Sequence, residues 1–185
     1  MDTRRDFIKK AGAFAALSFV MDWARAGGIS DRLGEVLPMR QLTRDGEKVT
    51  AFCLGGYHLG VTEVPSRAEE MIERSMELGI RFYDNARGYN GGRSEEYMGE
   101  FLVPKYRDDI FLMSKAPEKT ADGVRKQLEA SLKALNTDYL DLWQIHSINS
   151  PEDVDNRINN GELDVFLEAK EQGIARHIGF TGHRN

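Results

Sequence analysis

The stretch GIRFYDNARGYNGGRSEEYMG, Gly79 to Gly99, decides how this chain is read. Gly79 ends a helical pattern, and IRFYD (Ile80 to Asp84) is a short strand. The strand finishes on an aspartate, and Tyr89 follows five residues later. Gly91 and Gly92 come next, and RSEEYMGEFL (Arg93 to Leu102) reads as a short helix closed by Pro104. An acid and a phenol therefore share one loop, where a strand hands over to a helix.

The same alternation extends in both directions. Upstream, Asp45-Gly46 inside MRQLTRDGEKVT (Met39 to Thr50) is a hairpin signal, and VTAFCLG (Val49 to Gly55) reads as a strand. Ser66 with Glu69 forms a capping box for a helix whose buried face is Ala68, Met71, Ile72, Ser75 and Met76. Downstream, IFLMS (Ile110 to Ser114) is a strand, and Val124, Leu128, Leu132 and Leu135 mark the next helix. YLDLWQI (Tyr139 to Ile145) is a strand. Leu163, Phe166, Leu167 and Lys170 sit on a helix that Gly173 stops, and ARHIGF (Ala175 to Phe180) is a fifth parallel strand. Alternating strands and amphipathic helices imply a parallel α/β sheet with right-handed crossovers. Periodicity leaves a doubly wound sheet and a barrel both open. No G-x-G-x-x-G follows the first strand, which counts against a dinucleotide-binding Rossmann unit.

Titratable residues recur where these strands end: Asp84, with Tyr89 in the loop after it, Lys115 after IFLMS, and His146 after YLDLWQI. Each has an ordinary alternative, as a turn cap, a half-buried aromatic, a solvated lysine or a core histidine. Their shared position argues against four separate accidents, because strand ends in a barrel open on one face, where active sites gather. An ammonium beside a phenol favours the phenolate, and a carboxylate holds the ammonium in place. An imidazole nearby can donate to a carbonyl oxygen. Such a group protonates an oxygen that is becoming an alkoxide. The electron pair must then arrive as hydride, which implies a nicotinamide.

The stretch from about Met39 to Asn185 resembles the aldo-keto reductase family, whose members are TIM-type (β/α)8 barrels using NADPH. Gly79 to Gly99 is similar to the family's signature of an aspartate, a tyrosine five residues on, then Ser-Glu and a glycine. The resemblance implies a catalytic tetrad of Asp84, Tyr89, Lys115 and His146, with Tyr89 as proton donor. The hairpin at Arg44 resembles the one closing the bottom of these barrels. LGGYHLG (Leu54 to Gly60) matches the first-strand loop against the nicotinamide end of the cofactor, which implies roles for Gly55, Gly56 and Tyr57. HIGFTGH (His177 to His183) matches a second cofactor stretch. Thr181 stands there for a serine, and Gly182 for an asparagine that helps hold the carboxamide.

Composition fits this reading. The chain has 185 residues, 41% hydrophobic and 30% charged, with a net charge of −5. Nothing in it reads as a nucleic-acid surface. Cys53 is the only cysteine, so neither a disulfide framework nor a thiolate metal cluster can form within the chain. His58, His146, His177 and His183 lack ligand spacing, and no metal is expected.

Residues 1–26 read as an export leader. Arg4 and Arg5 are followed by the uncharged AGAFAALSFVM (Ala11 to Met21) and by the small-x-small ARA (Ala24 to Ala26). The pair resembles the twin-arginine signal of bacteria. A periplasmic or otherwise exported protein handed to the export machinery is expected, with no stable membrane anchor, since the apolar run is too short to span a bilayer. Residues 27–38 read as a linker, and 39–185 as the barrel domain. A full barrel of this type takes about 250 residues, so a truncated barrel of about five β/α units is expected, lacking the family's contacts to the adenosine and diphosphate. The expected function is NAD(P)H-dependent reduction of small-molecule aldehydes or ketones to alcohols. The alternative is a non-catalytic exported fragment or binding domain. The isolated chain is expected to be poorly soluble or oligomeric, to show no saturable NADPH binding and to reduce no carbonyls.

Overall fold

The computed structural model describes residues 28–182. The expected leader and His183 lie outside them. Two antiparallel hairpins come first: β1 (Ile29–Asp31) with β2 (Gly34–Val36), and β3 (Met39–Gln41) with β4 (Lys48–Thr50). Five parallel strands follow: β5 (Leu54–Gly55), β6 (Phe82–Asp84), β7 (Phe111–Ala116), β8 (Leu140–Ile148) and β9 (Ala175–Gly182). The main helices between them are α1 (Pro65–Glu77), α2 (Arg93–Tyr97), α3 (Ala121–Leu135), α4 (Pro151–Asn159) and α5 (Glu162–Glu171). The sheet order is β5-β6-β7-β8-β9. Each strand lies beside its predecessor and the order never reverses, whereas a doubly wound sheet reverses at its switch point. Unreversed stepping is the order of a TIM-type barrel, here carried by five β/α units.

The larger core lies between sheet and helices. Tyr83, Leu112, Leu140 and Trp143 meet Ile72, Met98, Leu102, Leu135 and Phe166, all fully buried. Trp143 stacks on Phe166 with ring centroids 3.7 Å apart. Removing either ring would cost about 3–5 kcal/mol. A second cluster fills the concave face: Phe111, Met113 and Leu142, with Phe82 beside them and Val49 of the β3–β4 hairpin over them. β7 is therefore buried at all six positions, as a strand covered on both faces must be. The β3–β4 turn is the one that Asp45-Gly46 predicts, with Gly46 at φ 101°.

Several local expectations are corrected. VTAFCLG is not one strand. Its first half pairs with β3 and its second with β6, so the chain bends at Ala51 and Phe52. α1 starts at Pro65, one residue before the expected cap Ser66, because proline's fixed φ suits the first helical position. Glu69 reaches Lys105 instead of a capping box. Met71, expected in the buried face, is exposed. Pro104 does not close the helix after Tyr89. A π-turn, Met98–Leu102, precedes it, and a fresh helical turn, Val103–Tyr106, carries the proline where its missing N–H is not needed. Gly99 in that turn lies against α3, where an added Cβ would sit 1.9 Å from the Ala134 carbonyl oxygen.

α4 appears where no helix is expected, capped by Ser150, whose Oγ accepts from the Asp153 N–H at 3.1 Å. The buried face of α5 is Glu162, Val165, Phe166 and Ala169, while Leu167 is exposed. Residues 29–36, expected within a linker, form the β1–β2 hairpin. Arg81 grips Asp31 there at 2.7 Å, and the Leu37 N–H donates to the Gly79 carbonyl at 2.9 Å.

Candidate active site

β6 ends at Asp84, but its ladder does not. Asn85 N–H donates to the Met113 carbonyl and Arg87 N–H to the Lys115 carbonyl, both at 3.0 Å. The loop is thus carried along β7 until Tyr89 stands beside Lys115. It then turns sharply. Asn90, Gly91 and Gly92 take φ of 52°, 68° and 99° in succession. Asparagine and glycine are the residues that enter this left-handed region most readily.

Lys115 is 4% exposed. Its ammonium donates to Asp84 Oδ1, to the Asn85 carbonyl at 2.8 Å and to the Tyr89 hydroxyl at 3.3 Å. Three acceptors meet three donor hydrogens, so the buried charge is fully partnered. The His146 ring stands edge-on to Tyr89, with centroids 6.0 Å apart. His146 Nδ1 lies 3.0 Å from the Thr181 hydroxyl, which also accepts from the Ser147 N–H at 2.9 Å. The structure thus brings Asp84, Tyr89, Lys115 and His146 together at one rim. His146 falls within β8 rather than beyond its end, because β8 runs on to Ile148.

The rim holds a phenol, an ammonium within reach of it, a carboxylate on that ammonium and an imidazole beside them. Tyr83, six residues before Tyr89, shows the contrast. Burial pushes its phenol up to about 12, and its hydroxyl is tied to Ser75 at 2.7 Å. Desolvation likewise raises the Cys53 thiol, with Asp84 adding to the effect and Lys115 opposing it.

Sequence reasoning missed the groups that brace this rim. Glu95 is fully buried. It accepts from Arg87 Nη1 and from the Ser114 hydroxyl, both at 2.6 Å. The loop between Asp84 and Tyr89 is thereby tied to the residue before Lys115. Asn85 is also fully buried, and its amide oxygen accepts from the Ala86 N–H at 2.8 Å. Beneath His146, the buried side chain of Arg157 donates to its carbonyl at 3.1 Å.

The sequence profile of the Aldo/keto reductase family matches residues 51–184. The chain belongs to the aldo/keto reductase family. An uncharacterized oxidoreductase of Bacillus subtilis, YqkF, is 29% identical over 157 residues, covering 78% of this chain and 49% of the relative. L-galactose dehydrogenase of Arabidopsis thaliana is 30% identical over 159 residues, covering 79% and 49%. The solved aldo-keto reductase AKR11C1 of Bacillus halodurans, in a holo form, superposes with a TM-score of 0.69 at 25% identity, covering 79% of this chain and 50% of that one. Bombyx mori AKR2E4, solved with NADP, gives 0.61 at 25% identity, covering 78% and 50%. The chain spans about half the length of the curated relatives it matches.

Within this aldo/keto reductase chain, the five expected cofactor residues fall at the two edges of the sheet. Gly55, Gly56 and Tyr57 lie at β5, and Thr181 and Gly182 at β9. Tyr57 is half exposed and stands edge-on to Tyr89, with centroids 5.5 Å apart. Gly55 faces open space. Gly56 is needed for packing, since an added Cβ would lie 2.8 Å from the Asn85 amide carbon. Thr181 is engaged by His146 and Ser147. Among the described residues, no cluster of histidine, cysteine and acids could hold a metal, and no helix is long and apolar enough to cross a membrane.

Proposed function

We propose that this chain carries the carbonyl-reducing centre of an NADPH-dependent oxidoreductase acting on small aldehydes or ketones, with Tyr89 as proton donor. The observation that carries the reading is the buried Lys115 ammonium, which touches Asp84 and the Tyr89 hydroxyl together. Reduced nicotinamide supplies the hydride when bound. The substrate oxygen takes its proton from the Tyr89 hydroxyl, and Lys115 stabilises the phenolate left behind. Asp84 keeps the ammonium aimed. His146, across from Tyr89, orients the carbonyl by hydrogen bonding. Gly55, Gly56 and Tyr57 on one side, and Thr181 and Gly182 on the other, hold the nicotinamide. The NADP complex of the Bombyx mori relative supports the phosphorylated form of the cofactor.

The leader supports export as a folded protein by the twin-arginine route into the periplasm. That route suits a protein that takes its nucleotide with it. Replacing Arg4 and Arg5 by lysine should retain the protein in the cytoplasm, and an unchanged distribution would refute export.

The catalytic reading is tested in a completed barrel with Tyr89→Phe, which keeps the ring and removes the proton donor. Carbonyl reduction, followed by NADPH absorbance, should fall by about 10²- to 10⁴-fold. NADPH affinity by fluorescence titration should hold. Equal loss of both would make Tyr89 structural.

A further inference from the structure

We infer that Arg157 is a positioning residue for His146, acting through the backbone that carries the imidazole; the inference rests on the carbonyl-reducing reading of the rim. The backbone at His146 is irregular. The β8–β9 register shifts between Ile145 and Ile148, and Ser147 sits at φ 61°, a region that side chains other than glycine enter rarely. Such a conformation persists only where its surroundings fix it. Thr181 fixes it from β9, by the contacts to the Ser147 N–H and His146 Nδ1. Arg157 fixes it from the helical side. Its Nη2 donates to the carbonyls of His146, at 3.1 Å, and of Ser147, at 3.4 Å.

The guanidinium itself is immobilised. Arg157 is 2% exposed. Nη1 bridges both oxygens of the fully buried Glu162, at 2.8 and 3.0 Å, and Nε reaches Asp153 at 3.2 Å. Asp153 in turn holds Lys119, just beyond β7, and the Asn149 N–H, just beyond β8. Two acids and two bases thus balance, and the one arm left over is spent on the histidine's own peptide. A planar fork is required, because one face must meet a carboxylate while another meets two carbonyls. Lysine can keep the charge pair with Glu162 but cannot hold the carbonyls at the same time.

Arg157→Lys in the full chain tests this. NMR of the histidine rings should show changed His146 chemical shifts and weakened contacts from His146 to Thr181 and Tyr89, with His58 and His177 unmoved. Glu162→Gln keeps a partner for Arg157 but loosens it, and should move His146 in the same sense by less. It is also the variant to read if Arg157→Lys does not fold. Lys119→Met touches the network without touching the histidine, and should leave His146 in place. In turnover by a completed barrel, kcat should fall by up to about 10²-fold in Arg157→Lys, as for a group displaced by about an ångström, with KM for NADPH unchanged. Unmoved His146 signals in a folded variant would overturn the inference. Moved signals with kcat unchanged in a completed barrel would uphold the positioning and refute the catalytic reading instead.

Discussion

At the end of β7, the Lys115 ammonium is 4% exposed and meets three acceptors; two strands away, Phe180 of β9 is 69% exposed. The two sites share one sheet and one rim. They differ in how far their partners lie in the fold. The Lys115 corner draws on β6, on the loop after it and on Glu95 of α2, all packed against β7. The end of β8 is braced by α4 and α5. β9 has a ladder on one flank only among the described residues. The charges of the interior are closed by neighbours that the chain already supplies, so Asp84, Tyr89 and Lys115 are held in place there. Thr181 and Gly182, proposed to hold the cofactor, sit on the flank that closes least.

The contrast can be broken first at its strongest point. Glu162→Ala leaves Arg157 buried without its main partner and should destabilise the fold by about 3–5 kcal/mol, read by urea unfolding. A value below 1 kcal/mol would mean that water reaches the network. Acid weakens the same network gradually. The Lys119 hydrogen bond, with help from Asn149 and Arg157, lowers the Asp153 carboxyl from 3.8 to about 2. A folded value below the unfolded one means that its stabilisation is complete above pH 3.8 and is lost as pH falls towards about 2. Asp153→Asn should flatten that limb of the stability-against-pH curve. If the curve kept its shape, the acid sensitivity would lie elsewhere.

At the edge the effects shrink. Thr181→Val deletes two hydrogen bonds to His146 and Ser147 and should cost about 1 kcal/mol. In a completed barrel, NADPH affinity should change more than stability does, by fluorescence titration. Phe180→Ser should change stability by no more than about 0.5 kcal/mol, since the ring is already solvated. It should reduce self-association in analytical ultracentrifugation, and a large loss of stability would show that the edge is as closed as the centre.

The tetrad was legible because its members stand at strand ends and in one loop, and strand periodicity places strand ends. The parallel order was legible for the same reason. The bracing residues were not, because their partners are distant in sequence or their charges read as surface. Arg157 and Glu162 look like ordinary solvated charges on two amphipathic helices. On α5 the fully buried Glu162 begins the buried face, because Arg157 neutralises it there. Pro104 reads locally as a stop, and only packing against α3 reveals the π-turn that accommodates it. Ser150-Pro151 did carry a helix start, in the form of a cap followed by proline, and marks α4 in hindsight.

The β1–β2 hairpin has one more implication. Asp31 is held by Arg81 and Arg32 by Asp109, both just ahead of the strands β6 and β7. The described chain therefore begins at the end of the sheet opposite Tyr89. A surface or probe coupled at Gly28 would accordingly meet the floor of the sheet, at the far end from the Tyr89 hydroxyl.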